Sequence, residues 1–164
     1  MVEPVEATPS SGRRASATWE ALFRAQGVIL RRLAEDPIWG DVSLREYDVL
    51  FVLTQAGGAL RLRDLTGRLF LVQSSVSRLT ERMAARGLVT RTTPPDDARG
   101  TLVALTDEGR RLQREAGARH QEAIARYVGQ ALDDDEQRTL RGLLDRLSAA
   151  QADIPRLDRG FDRG

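Results

Sequence analysis

Residues 74–112 read SSVSRLTERMAARGLVTRTTPPDDARGTLVALTDEGRRL, and the fold can be worked out from this stretch. Its first part predicts an amphipathic helix that ends at Gly87, because hydroxyl and arginine side chains lie opposite a narrow apolar arc. The arc consists of Val72, Val76, Leu79 and Met83. Two short runs rich in Thr, Val and Leu follow, separated by the loop PPDDARG, and they predict a β-hairpin. Thr106 then predicts the N-cap of a long helix.

Three helices are predicted before this stretch. The first runs from about Ala15 to the break before Pro37, since apolar residues recur there at steps of three and four. The second begins at a capping box made by Ser43 and Glu46. The third is a short helix over about residues 63–69. With the hairpin, these elements predict a mainly α fold with a small β-hairpin wing.

The domain organisation follows from the breaks between these elements. Asp133 and Glu136 form a second capping box, which predicts a last helix with a leucine stripe. We expect one domain between two tails: a disordered tail over 1–14, a domain over 15–154 and a loose tail over 155–164. Within the domain we expect one lobe over about 43–105 and a second, helical lobe from about 15–35 and 106–154.

The composition excludes several classes of mechanism. The chain has no Cys, its 25 basic residues are all Arg, and His120 is its single histidine. Disulfides, thiolate metal sites and lysine chemistry are therefore excluded, and we expect no catalytic residues, metal or cofactor. The carboxylates are scattered over predicted helix surfaces, so the chain is predicted not to be an enzyme. No signal peptide or spanning segment is visible, which predicts a cytoplasmic location.

The charges are distributed unevenly along the chain. Residues 1–60 hold 6 Arg against 8 acids (−2), residues 61–105 hold 8 against 4 (+4), and residues 106–164 hold 11 against 12 (−1). The middle third is thus basic and lies between acidic segments. This pattern predicts a local surface that binds a polyanion.

The order helix, helix, short helix, helix, hairpin is the winged helix-turn-helix arrangement. The Ser/Arg face of the fourth helix would fit a DNA major groove, and Arg99 at the hairpin tip would fit a narrow minor groove. Asp97, two residues earlier, could hold the Arg99 guanidinium in place. The alternatives are an ordinary solvated helix face, or a winged helix that binds a protein partner.

The sequence resembles the MarR family of winged-helix transcriptional regulators. The likeness is carried by the stretch from Ser43 to Leu53, by Leu65, and by the runs at 74–91 and 96–112, including the signature Leu-Thr-x-x-Gly at 105–109. The resemblance covers roughly residues 17–150. It implies an obligate homodimer that binds a short palindromic operator. The lobe over about 43–105 would then be the DNA-binding lobe, and the helical lobe from about 15–35 and 106–154 the dimerisation lobe. It also implies release of DNA when a small phenolic or otherwise aromatic, often anionic, ligand occupies a cleft between the dimer and DNA lobes.

The resemblance also implies DNA-contacting positions. Ser74, Ser75, Ser77 and Arg78 match the recognition-helix contacts, Asp97 and Arg99 match the wing pair, and Arg82 and Arg91 match less closely. We assign Arg78 to base or phosphate contact in the major groove and Arg99 to the minor groove, with the serines at phosphates.

Two positions depart from the family pattern. Val72 stands where a capping residue is common, so capping of the recognition helix is expected to fall to Gln73 or Ser74. Arg61 and Arg63 stand where a cap of the short helix is common, and they add two candidate phosphate contacts.

The apolar stripes of the first and last helices need a partner surface, which supports a homodimer that presents two recognition helices to a pseudo-palindromic operator.

A candidate ligand cleft contains five of the eight aromatic residues: Trp19, Phe23, Trp39, Tyr47 and Phe51. These residues could instead be ordinary core, and the role of His120 is open. The predicted function is a DNA-binding repressor released by an aromatic or anionic ligand. The alternatives are a protein-interaction module or a ligand-independent DNA-binding protein.

Overall fold

The structure is a computed structural model that describes residues 9–69, 71–94, 97 and 99–155. The helices and the two strands of the hairpin follow one another in the predicted order. The elements in the described residues are α1 (Pro9–Glu35), α2 (Leu44–Gln55), β1 (Ala59–Arg61), α3 (Leu62–Leu69), α4 (Gln73–Ala85), β2 (Val89–Thr92), β3 (Leu102–Leu105), α5 (Asp107–Tyr127) and α6 (Asp134–Ala150). The fold is therefore mainly helical with a small sheet, as predicted.

The sheet has the order β1-β3-β2, and both of its strand pairs are antiparallel. The predicted hairpin is confirmed, with Val89 opposite Leu105. Strand β1 was not predicted: it pairs with β3 through Ala59 opposite Ala104. A run of three residues has too little alternation to be detected alone, and its hydrogen-bond partner lies more than forty residues later in the chain.

The core of the winged-helix lobe lies between α2, α3, α4 and the sheet. Its fully buried side chains include Leu50, Leu53, Leu65, Val76, Met83 and Val103. Burial of Val76 and Met83 fixes the rotation of α4, because residues three and four positions apart lie on one helix face. The opposite face of α4 therefore points to solvent.

The Leu-Thr-x-x-Gly signature joins the hairpin to α5. The hydroxyl of Thr106 donates to the carbonyl oxygen of Gly87 at 2.7 Å and accepts from the backbone N–H of Gly109 at 3.0 Å, so the predicted N-cap is confirmed. A Cβ atom at position 109 would lie 2.0 Å from the carbonyl oxygen of Leu88. Glycine is required there because the start of α5 lies directly against the chain that enters β2.

Two helix starts differ from the predictions. Helix α1 begins at Pro9 rather than near Ala15, since proline is favoured at the first position of a helix and arginines and alanines follow it. The remaining residues of the predicted tail, 1–8, lie outside the described residues, as do residues 156–164. Val72 is the N-cap of α4, and no side-chain hydrogen bond caps that helix, so the expected capping by Gln73 or Ser74 is wrong. Val72 is also 68% exposed and does not join the apolar arc.

The chain divides into two compact units, one up to Ala123 and one from Ile124. The second unit contains the end of α5 and all of α6. The predicted capping box of Asp133 and Glu136 is present at the start of α6. None of the 17 residues of α6 is buried, and three leucines of its stripe, Leu140, Leu143 and Leu147, are exposed. No helix in the described ranges combines the length and the apolarity needed to cross a membrane.

Candidate nucleic-acid interface

Helix α4 presents one of its faces to solvent. Its inner face is anchored by Val76, Thr80 and Met83, each fully buried. Ser74, Arg78 and Arg82 are exposed, whereas Ser75 and Ser77 are half-buried. An exposed helix face with short hydroxyls and two arginines allows close approach to a phosphate backbone and reach to base edges.

Arg91 of β2 is held against α4. Its Nη1 donates to the carbonyl oxygen of Ser77 at 2.8 Å and to Oγ1 of Thr80 at 3.1 Å, and it forms an ion pair with Oε1 of Glu81 at 3.0 Å. The hydroxyl of Ser77 donates to the same carboxylate oxygen at 3.1 Å. Among the predicted DNA contacts, Arg91 and Ser77 are thus engaged in joining the wing to the recognition helix.

The wing pair differs from the prediction. The Oδ1 atom of Asp97 accepts the backbone N–H of Arg99 at 3.2 Å, and its Oδ2 atom forms an ion pair with Nη1 of Arg61 at 3.2 Å. The carboxylate therefore holds the backbone of Arg99 and the guanidinium of Arg61, not the guanidinium of Arg99. A Cβ atom on Gly100 would lie 2.6 Å from Oδ2 of Asp97, so glycine makes room for this arrangement. Arg99 is exposed.

The two predicted phosphate contacts before α3 are in different environments. Arg61 is only 25% exposed at its side chain and is paired with Asp97. Arg63 is 70% exposed at its side chain, and its Nε lies 3.5 Å from a carboxylate oxygen of Asp64. Arg61 thus connects β1 to the wing, while Arg63 remains accessible.

A groove beside α4 contains an arginine that sequence reasoning missed. The groove has a volume of about 390 Å³ and is lined by Arg45, Leu71, Ser75, Arg78, Leu79 and Arg82. Arg45 belongs to the first turn of α2, where an acidic residue would suit the helix dipole better. Its unusual basic charge at that position was the feature by which the sequence could have indicated Arg45. Its place beside Arg78 depends on how α2 packs near α4.

The end of α4 is also tied to the start of α2. Nη1 of Arg86 forms an ion pair with Oε1 of Glu46 at 2.5 Å, and its Nη2 donates to the carbonyl oxygen of Asp41. Oε2 of Glu46 accepts the backbone N–H of Ser43 at 2.8 Å, which confirms the predicted capping box. Burial alone would raise the pKa of Glu46, but these hydrogen bonds from Ser43 and Arg86 outweigh it and lower the pKa below its ordinary value.

Three of the five predicted cleft aromatics lie in one cluster. The ring of Tyr47 lies between the other two, with its centroid 5.2 Å from that of Trp39 and 6.0 Å from that of Phe51. His120 of α5 joins them at 5.5 Å from Trp39 and 5.1 Å from Tyr47. Trp19 and Phe23 instead form a separate stacked pair on α1, both more than 60% exposed. His120, but not Trp19 or Phe23, thus joins the cluster of Trp39, Tyr47 and Phe51.

Burial and neighbouring charges both shift pKa values in this aromatic cluster. Burial lowers the pKa of His120, against the nearby carboxylate of Asp48, which favours the protonated ring. Burial raises the pKa of Asp48, against His120 and Arg45. Burial and Asp48 both raise the pKa of Tyr47. A half-buried imidazole beside a carboxylate and a phenol can exchange hydrogen bonds with a polar aromatic ligand.

The comparisons with known proteins agree with this geometry. A family model described as the MarR family matches residues 41–100, which include α2, the recognition helix and most of the wing. The uncharacterized HTH-type transcriptional regulator YhbI of Bacillus subtilis is 29% identical over 140 residues, which cover 82% of this chain and 88% of that protein.

Two solved structures extend the likeness over most of the chain. A MarR-family transcriptional regulator from Rhodococcus sp. RHA1 is 28% identical, with a TM-score of 0.72, over 81% of this chain and 93% of that one. BpsR of Bordetella bronchiseptica, whose DNA binding is regulated by 6-hydroxynicotinic acid, is 27% identical, with a TM-score of 0.69, over 80% of this chain and 98% of that one. With its recognition helix, wing and Leu-Thr-x-x-Gly junction in place, the chain has a winged helix-turn-helix fold and is similar to the transcriptional regulators of the MarR family.

Proposed function

We propose that this regulator is a homodimeric repressor that binds a pseudo-palindromic operator and releases it when a small aromatic or anionic ligand binds. The observation that carries the DNA part is the outward face of α4, where Arg78 and Arg82 are exposed beside Ser74 while the inner face is fully buried. Arg78 would contact bases or phosphates in the major groove, and Arg99 would enter the adjacent minor groove.

The homodimer is supported by apolar residues that this chain leaves exposed. Trp19 and Phe23 of α1 and Leu143 and Leu147 of α6 are 48–66% exposed. Exposed apolar stripes on amphipathic helices favour association with a second copy. A two-fold dimer would present two copies of α4 to half-sites about one helical turn apart, which requires a pseudo-palindromic operator.

The ligand response is supported by the cluster of Trp39, Tyr47, Phe51 and His120. The regulator BpsR responds to a hydroxylated aromatic acid, and this cluster offers aromatic faces and an imidazole suited to such a compound. Tyr47 of the cluster lies on α2, directly after Glu46, and Glu46 forms the ion pair with Arg86 at the end of α4. A shift of Tyr47 on ligand binding would therefore be transmitted to α4. Ligand binding would then change the spacing or tilt of the recognition helices.

One observation favours a second candidate, ligand-independent DNA binding. Trp39 is 8% exposed and Tyr47 is 4% exposed, so these rings already fill their surroundings. A ligand would have to bind at Phe51, which is 42% exposed, or displace a ring of the cluster.

The DNA part is tested by fluorescence anisotropy on the DNA upstream of the protein's own gene, against a scrambled duplex. We expect tight, salt-dependent binding that prefers the upstream DNA and is weakened in Arg78→Ala and Arg99→Ala. Arg114→Ala is the matched control, because Arg114 is an exposed arginine of α5 outside the interface. Equal, weak binding to both duplexes by all four proteins would contradict operator recognition at this site.

The ligand part is tested by adding hydroxylated aromatic acids, including 6-hydroxynicotinic acid, to the complex with DNA. We expect at least one to release the DNA, and His120→Ala to raise the concentration required. Release by none of them would favour the ligand-independent candidate.

A further inference from the structure

The groove lined by Arg45, Leu71, Ser75, Arg78, Leu79 and Arg82, here called the Arg45 groove, holds an unusual set of charges. Three of its six lining residues are arginines, and none is acidic. Two of these arginines belong to the recognition helix, whereas Arg45 comes from the first turn of α2. The groove is therefore a basic surface assembled from two helices.

Several other arginines of the same lobe differ in having acidic partners. Arg61 is paired with Asp97, Arg86 with Glu46, and Arg91 with Glu81. In the part of the chain that the structure describes, the three arginines of the Arg45 groove form no such ion pair. Arg45 does lower the pKa of Asp48 through space, one turn along α2, but without an ion-pair contact.

This contrast has an electrostatic consequence. Three positive groups around one groove repel each other, and an anion placed among them would remove that repulsion and gain charge-assisted hydrogen bonds. The half-buried Ser75 adds a small neutral donor at the same wall. A phosphate group matches this set because it accepts several hydrogen bonds from arginine and hydroxyl donors at once.

We propose that the Arg45 groove binds a backbone phosphate of the DNA duplex, with Arg45 as a DNA-contacting residue outside the recognition helix. The inference rests on the proposed placement of α4 in the major groove, which would bring the phosphates along the groove edge close to Arg78 and Arg82. Arg45 then fixes the register of α4 on the duplex without reading the sequence. The neighbouring Glu46–Arg86 ion pair keeps α2 and α4 in a constant arrangement around the phosphate.

The first experiment measures binding of Arg45→Ala to the upstream duplex and to a scrambled duplex over a series of salt concentrations. A phosphate contact weakens both interactions by the same factor, about tenfold, and lowers the slope of log affinity against log salt by about 1 for each half-site. Arg45→Lys keeps the charge and should retain the slope with an intermediate affinity. Arg114→Ala, which makes the same change in net charge outside the groove, should behave like wild type.

The second experiment identifies the contact on the DNA. Single neutral methylphosphonate linkages are placed in turn along one half-site. We expect wild type to lose affinity at one linkage or two adjacent linkages, and Arg45→Ala to be insensitive to the same substitutions, because the contact is already missing. Identical penalty profiles for the two proteins would overturn the proposal.

The remaining outcomes separate the possible failures. If wild type binds no DNA, the proposed function itself fails; if wild type binds and Arg45→Ala matches it in affinity and slope, only the Arg45 groove assignment fails. Inorganic phosphate tests the other source of the same anion. Thermal stabilisation of the DNA-free protein by phosphate that is lost in Arg45→Ala, with unchanged DNA affinity, would make the groove a free-anion site and overturn the DNA assignment.

Discussion

Helices α4 and α6 are both amphipathic, but they differ in what covers their apolar faces. In α4, Val76, Leu79, Thr80 and Met83 are buried by α2, α3 and the sheet of the same chain. In α6, none of the residues is buried, although its leucine stripe is as regular. The winged-helix lobe thus buries its apolar faces within its own chain, whereas we propose that a second copy covers the leucine stripe of α6.

The largest effect is expected from substitutions that break the proposed contact of α6. We expect the double variant Leu143→Glu and Leu147→Glu to be monomeric, because charged residues on this stripe cannot be buried between copies. Operator affinity should then fall by a factor on the order of 100 or more, since the two half-sites are no longer bound together. Sedimentation velocity and anisotropy measure the two effects. A variant that remains dimeric would show that α6 does not supply the interface.

The next prediction concerns whether the core around α4 is formed entirely within one chain. Met83→Ala should lower the free energy of unfolding by about 2–5 kcal/mol, since it leaves a cavity in a fully buried site. The loss should be the same at low and at high protein concentration, in contrast to variants of α6. Thermal unfolding at two concentrations measures it, and a strongly concentration-dependent loss would contradict the comparison.

Smaller effects are expected from two arginines near α4, of which Arg91 stabilises the fold and Arg78 is proposed to contact DNA. Arg91→Ala should lower the free energy of unfolding by about 1–2 kcal/mol, because its guanidinium bonds Ser77, Thr80 and Glu81. Arg78→Ala should leave the melting temperature unchanged and weaken DNA binding roughly tenfold. Melting curves and anisotropy on the same two preparations provide the check. The reverse pattern would mean that Arg91, and not Arg78, contacts DNA.

The smallest effect concerns the link between α4 and α2. The folded-state pKa of Glu46 is lowered, so its ionised form stabilises the protein fully above the ordinary carboxyl pKa of 4.5, and this contribution is lost as the pH falls through the lower folded value. Glu46→Gln should cost about 1 kcal/mol of unfolding free energy at pH 7, and the difference from wild type should shrink below about pH 4.5. Denaturant unfolding between pH 3 and pH 7, roughly the range of carboxyl titration, measures it. A difference independent of pH would exclude the Glu46 charge as its cause.

Much of the fold and part of the site could be predicted without coordinates. The capping boxes at Ser43 and Asp133, the hairpin and the junction at Thr106 are local patterns, and all are present in the structure. The prediction that the chain is not an enzyme agrees with its similarity to a family of transcriptional regulators. The dimer, the repressor role and the ligand stay proposals.

What the sequence did not predict at the DNA-contact site depends on long-range contacts. Asp97 was expected to hold the side chain of its neighbour Arg99, but the ion pair is made with Arg61, a residue distant in the chain. Arg91 matched the DNA contacts of the family less closely, and in the structure its guanidinium is bonded to the recognition helix. Sequence spacing does not show which of several arginines a carboxylate or a carbonyl oxygen meets.

For this protein, amphipathic periodicity, helix caps and turn residues specified the order of helices and strands, because each depends on interactions within a few residues. The partners of its arginines were specified by packing, since a guanidinium on a flexible stem pairs with whichever acceptor the fold brings within reach. Packing left Arg45, Arg78 and Arg82 around one groove without a carboxylate and gave Arg61, Arg86 and Arg91 one each. The paired arginines hold the lobe together, whereas the groove arginines, like the exposed Arg99, remain accessible from solvent.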